Sequence, residues 1–185
     1  MAVPPLKGKL LVAAPPLTDD NFDRTVVLML EHSDDGALGI VLNRPTSHAV
    51  ADALPEWSDR CPEPAVLFTG GPVEGTAVIA LAVGPADEPA DGFAPLLGPI
   101  GTVDLEQDAA LVLPQLSSLR VFVGYAGWVG GQIEDELEAG AWIVADRADR
   151  DPFTDHPESL WRTVLGRQQG PLAWLAHFPD DPSAN

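Results

Sequence analysis

"RTVVLMLEHSDDGALGIVLN", residues 24–43, decides the fold. Two apolar runs, 24–32 and 37–43, flank "SDDG", whose Asp35 and Gly36 supply turn conformations, so the stretch reads as a β-hairpin. A strand with one wet face alternates apolar and polar side chains, whereas here both alternating sets are apolar for most of their length. The hairpin is therefore predicted to lie in the middle of a sheet that is covered on each side.

Working outward, "KLLVAA" (9–14) reads as a first strand. Pro15 and Pro16 end it too early for a secretion signal. Residues 49–54 predict one or two helical turns stopped by Pro55, followed by a polar loop to Pro64 that carries Cys61. A strand at 65–69 runs into the glycine turn "GGPVEG", and a further strand follows at 76–83. Residues 84–92, rich in Pro and acid, read as an exposed excursion. Later strands are expected near 93–97, 101–103, 119–125 and 142–145, with a helix over 134–139. In "TDHPESLWRTVLG", Asp155 is placed to cap a helix, with Pro157 in the first turn and Glu158 three residues on. A short helix is expected after Pro171, and "PDDPSAN" (179–185) should fray.

The chain has 185 residues, 45% of them hydrophobic, which suits one domain spanning 1–185. Asp and Glu number 28 against 10 Lys and Arg, giving a formal net charge of −18. Between Ala51 and Glu138 only Arg60 and Arg120 are basic. Nucleic-acid binding needs clustered cations to neutralise phosphate, so direct contact with DNA or RNA is not expected. Cys61 is the sole cysteine, which excludes an intrachain disulfide and fits a reducing cytoplasm. No uncharged apolar run approaches the ~18–20 residues that span a bilayer, so a soluble chain without membrane contact is expected.

The glycine-dense stretch 123–144 raises the question of a phosphate cradle. Glu134, Asp135 and Glu136 occupy the first turn of the helix it opens and already complement its dipole, so an anion would meet their charge. The nearest approach to a P-loop, "GGPVEGT" (70–76), puts Thr76 where the lysine must stand. A strand over 121–125, a turn at 127–131, and a helix with Ile133 and Leu137 on one face, ended by Gly140, account for the pattern. None of the seven serines lies in a nucleophile motif, and the four histidines form no metal spacing. Catalytic residues, metal and cofactor are accordingly not predicted.

Three segments together resemble a known family in sequence order: "APPLTDDNFDRTVVLMLEHSDDGALGIVLNRP" (14–45), "GGPV" (70–73) and "GYAGWVGGQIEDELEAGAW" (124–142). They resemble the signature segments of the YqgE/AlgH family of bacterial proteins, over most of the chain. The resemblance implies an α+β fold, a bifurcated and mostly antiparallel β-sheet curled into a pseudo-barrel with flanking α-helices. It also brings a transcriptional-regulator label, from which a regulator acting through a protein partner or small ligand is expected. The chain departs from the family where many members carry Arg-Gly and then His after the GGPV turn. Ala77, Val78 and Ala82 stand there, so no role of that Arg or His transfers. The tail from Arg167 departs as well.

Polar and aromatic residues inside these segments give the candidate ligand or partner site: Arg24, His32, Asn43, Gly70, Gly71, Tyr125, Trp128, Gln132 and Glu134. The sharper expectation is that they line one shared groove. The plainer one is that they cap and bridge the turns they adjoin. The rival expectation is an enzyme using His32 or Glu134 as acid or base in that cleft.

Overall fold

The hairpin forms as β2 (Val26–Ser33) and β3 (Gly36–Val41), joined through Asp34 and Asp35. Its period-two pattern serves two cores at once: Val26, Leu28, Leu30 and Ile40 face one, while Val27, Met29 and Val41 face the other. Both faces are covered, as the apolar pattern predicts. The computed structural model describes residues 4–15, 19–87 and 90–180.

Around the hairpin lie β1 (Lys9–Ala13), β4 (Pro45–Ala49), β5 (Val66–Thr69), β6 (Val73–Val83), β7 (Phe93–Leu97), β8 (Ile100–Val103), β9 (Ser118–Val129) and β10 (Trp142–Asp146), with the one-turn helices α1 (Val50–Ala53) and α2 (Ala109–Val112) between them. Among the described residues these strands make one curled sheet in the order β10-β1-β2-β3-β9-β6-β8-β7, with β5 beside β9 and β4 beside β5. Every pairing is antiparallel except β5 with β9.

β9 is where the sheet forks. Its second half pairs with β3, from Ala126 opposite Gly39 to Val129 opposite Gly36. Its first half pairs with β6 on one side and β5 on the other. Side chains follow the fork: Leu119 and Val121 enter a core with Trp57 and Phe93, Phe122 enters the central core, and Ala126 and Trp128 pack under α3 (Gln132–Glu138). The central core is completed by Leu160, Trp161, Val164 and Leu165 of α4 (Leu160–Gly166). The molecule is α+β, a mostly antiparallel curled sheet with helices around it.

The elements differ from the sequence reading in several places, among them β4, which was not predicted, and β6, which starts at Val73 inside the expected glycine turn. The loop expected before Pro64 contains a 3-10 helix, Pro55–Arg60, because burial of Trp57 to 3% exposure anchors it to the Phe93 core. An unpredicted short helix, Ala109–Val112, begins where Asp108 accepts the Ala110 N–H at 3.0 Å. β9 runs on through Gly127 to Val129, since β3 supplies it with a partner, and only Gly130 and Gly131 are left to turn. Asp155 caps nothing: Thr154 Oγ1 accepts the His156 N–H, and a 3-10 turn, Pro157–Ser159, leads into α4. Pro179 and Asp180 are tied down by arginines where fraying was expected; the rest of that tail lies outside the described residues. No helix among the described residues is long and apolar enough to cross a membrane.

Candidate functional site

The sequence-predicted residues fall in three places. Asn43 bonds back to the start of β2, accepting the Val26 N–H through Oδ1 (2.9 Å) and donating from Nδ2 to Arg24 O (2.9 Å). His32 lies six residues further along β2, roughly 20 Å away at strand rise. Adjoining strands do not make adjoining side chains. Gly70, Gly71 and Tyr125 stand between, at the fork.

At the turn end of the hairpin, His32 is held from both sides. Nδ1 accepts the Leu6 N–H at 3.3 Å, so the ring proton sits on Nε2 and points to Glu134 Oε1 at 2.7 Å. The hydrogen bond from His32 pulls the Glu134 carboxyl below its ordinary range. This is a clamp of the N-terminal segment and α3 onto β2, with neither imidazole nitrogen left for a substrate proton. Gln132 accepts the Val129 N–H (3.2 Å) and donates to Glu136 Oε1 (2.9 Å), while Trp128 and Trp142 reach Glu136 Oε2. Phe22 stacks on Trp128, with centroids 6.2 Å apart. An open hollow of about 530 Å³ adjoins His32, walled largely by its own hairpin, Lys7 and Trp128.

At the base of the hairpin, Arg24 adopts a left-handed backbone, φ +52°. Its guanidinium lies 4.6 Å over the Trp161 ring and reaches Phe178 O, Pro179 O and Asp180. The loop that precedes β2 is tied by Arg44, which donates to Asp23 O.

At the fork, two stretches of backbone cross with no side chain between them. A Cβ on Gly70 would overlap Gly124 O, one on Gly71 would overlap the Tyr125 carbonyl, and one on Gly124 would sit 2.5 Å from Gly71 O. Gly124 (φ +76°) turns β9 from one half-sheet to the other. β6 bulges here: Val73 pairs with Tyr125 and Val78 with Val123, leaving Glu74–Ala77 opposite a single residue. The bulge opens a groove. Asp20, Asn21, Arg44, Pro45 and Pro72 line about 310 Å³ of it, and Thr46, His48, Leu67, Gly75 and Val123 line about 380 Å³; the two parts meet at Thr69 and Gly71.

Sequence reading missed two features. Arg120, only 2% exposed, lies 4.4 Å over Phe68 and donates to the carbonyls of Pro62, Glu63, Pro152 and Thr154. Burial lowers its pKa to about 10, and beside it burial pushes the Cys61 thiol up to about 11. The groove residues Thr46, His48 and Gly75 were the second miss. The signal for Arg120 was a lone cation inside the apolar run "LRVFV", and that for Gly75 was a third glycine, just past the GGPV turn. Groups of three or more His, Cys, Asp or Glu side chains poised for a metal do not occur among the described residues.

Comparison with known proteins fits this geometry. A UPF0301 protein of Streptomyces coelicolor is 49% identical over 184 residues, covering 97% of this chain and 95% of the relative. One from Streptomyces avermitilis is 51% identical over 185 residues, with the same coverage of 97% and 95%. The crystal structure of a Corynebacterium diphtheriae protein superposes with TM-score 0.85 at 32% identity, covering 95% of this chain and 94% of that one. The solution structure of the AlgH protein from Pseudomonas aeruginosa gives 0.65 at 28% identity, covering 92% and 98%. The AlgH-like family matches residues 10–173, the strands, the fork and α4 included, and the chain belongs to that family.

Proposed function

We propose that the chain is a non-catalytic regulatory protein that responds to a small ligand bound in the groove at the fork. The observation that carries this reading is the groove itself. Segments distant in sequence, Asp20–Asn21, Arg44–His48, Leu67–Gly75 and Val123, converge on it, and each of its two parts has the volume of a small-molecule site. Leu67 and Val123 offer apolar walls, and Thr69 and His48 offer hydrogen bonds at the edges. With a net charge of −18 around it, the ligand is neutral or cationic rather than a phosphate. Acid–base chemistry at His32 and Glu134 has less support, because both ring nitrogens are occupied. The same charge opposes direct regulation through DNA.

Gly75 supplies the test. Gly75 lines the groove and a Cβ placed there meets nothing within 4 Å, so a side chain can be introduced at the groove's wall without a clash at its first carbon, and Gly75→Leu is expected to obstruct the groove. A thermal-shift screen of neutral and cationic metabolites should raise the Tm of the native chain, and Gly75→Leu should abolish the shift while keeping its own Tm. Shifts that survive Gly75→Leu, or none across the panel, would overturn the small-ligand reading and leave a protein partner.

A further inference from the structure

We propose that Arg24, Trp161 and Arg162 form a recognition notch for an extended acidic peptide of a partner protein, and that this chain fills the notch with its own Phe178–Asp180. The contacts are those of peptide recognition. Arg24 Nη1 and Arg162 Nη2 both stand 2.8 Å from Asp180 Oδ1. Arg24 Nη2 donates to Phe178 O (3.3 Å) and Pro179 O, and Arg162 donates to Phe178 O (3.0 Å) and Ala176 O. The Phe178 ring packs against the central core. One carboxylate, consecutive carbonyls and one aromatic anchor are thus read by two guanidinium forks.

The notch is positioned without help from the tail. Asn43 fixes the Arg24 carbonyl, and the Trp161 indole N–H donates to Ala13 O at 2.8 Å, which sets the ring under the Arg24 guanidinium. The left-handed φ of Arg24 is a costly backbone choice that aims its side chain at this spot. By contrast, residues 178–180 have no helix or strand, and they engage through groups that any extended Phe-x-acid segment carries.

Sequence position separates site from occupant. Arg24, Trp161 and Arg162 all lie within residues 10–173, where the AlgH-like family matches, whereas Phe178–Asp180 lies beyond that match. The chain places two of its ten Lys and Arg residues on this three-residue segment. Tethering in cis gives the tail an effective concentration in the millimolar range, roughly, and offsets the repulsion an acidic segment meets from a chain of net charge −18. A partner segment then acts by displacing the tail.

The test uses the full-length chain carrying Phe178→Ala and Asp180→Ala, which removes the aromatic anchor and the carboxylate that hold the tail in the notch and leaves the walls and the tail's backbone carbonyls. The pentapeptide Ala-His-Phe-Pro-Asp, acetylated and amidated, is titrated in while the Trp161 indole resonance is followed by NMR. The expected result is a saturable shift back toward the native position, with affinity reduced at least about tenfold when Arg24→Gln is added. The native chain should need far more peptide for the same change. Absence of a saturable shift, or binding indifferent to Arg24→Gln, would overturn the proposal. So would loss of folding in the tail variant, since the tail would then be part of the frame and not its occupant.

Discussion

Trp128 and Trp142 share one acceptor: both indole N–H groups donate to Glu136 Oε2, at 3.0 and 2.8 Å, and their rings meet edge to face with centroids 6.1 Å apart. Both tryptophans are nearly fully buried, so removing that oxygen leaves two indole donors without their shared acceptor. Glu136→Ala is expected to cost about 2–4 kcal/mol in urea unfolding, with Glu136→Gln losing less than half of that because one oxygen remains.

A pH dependence follows from the clamp on His32. The folded Glu134 carboxyl lies below its ordinary value, chiefly through the His32 hydrogen bond, so its contribution is present above the unfolded pKa and is lost as pH falls through the folded one. Glu134→Gln mimics the protonated acid. The native chain should be more stable than this variant at pH 7, and the gap should close below the usual carboxylate range, as paired urea titrations at pH 7 and pH 3 would read.

The buried guanidinium of Arg120 ties two distant loops, 62–63 and 152–154, through carbonyls alone. Arg120→Met leaves those carbonyls short of donors and should cost about 3–5 kcal/mol. Arg120→Lys should recover only part, because one ammonium does not span both loops. Chemical denaturation of the three proteins checks the order native, Lys, Met.

Cys61 should be a slow nucleophile. With its pKa at about 11 against the ordinary 9.0, its thiolate fraction at pH 8 is about 100-fold below that of the unfolded chain. Alkylation by iodoacetamide should show that ratio between native and denatured protein. Stability should also fall as pH rises from about 9 to about 11, where the unfolded thiol ionises first.

The hairpin was legible because burial on both faces leaves a signature in every residue from Val26 to Leu30. Helix α3 was legible through Ile133, Leu137 and the Gly140 stop, whose φ is +75°. The candidate residues could be picked out by residue type and motif, but the sequence did not show that they fall in three separate places. His32 lies in β2 and Asn43 just past the end of β3, and only the register, with Ala37 opposite His32, shows that they occupy opposite ends of the hairpin. The Asp155 cap failed because a 3-10 turn with Pro157 at its start intervenes and α4 begins only at Leu160, five residues on. Arg120 was hidden because a cation in a strand normally marks a wet face, and the carbonyls that dry it come from loops 32 to 58 residues away.

The fork at β9 also constrains how the chain comes off the ribosome. Both half-sheets are missing a strand until residues 118–129 have been made, so β2–β3 and β6–β8 must wait with an unpaired edge each. β1 waits longer still, for β10 at residues 142–146. The two strands that close these edges are therefore made after all the other strands, with α4 following them to complete the central core, and a truncation before Ser118 is expected to release open edges instead of a smaller domain.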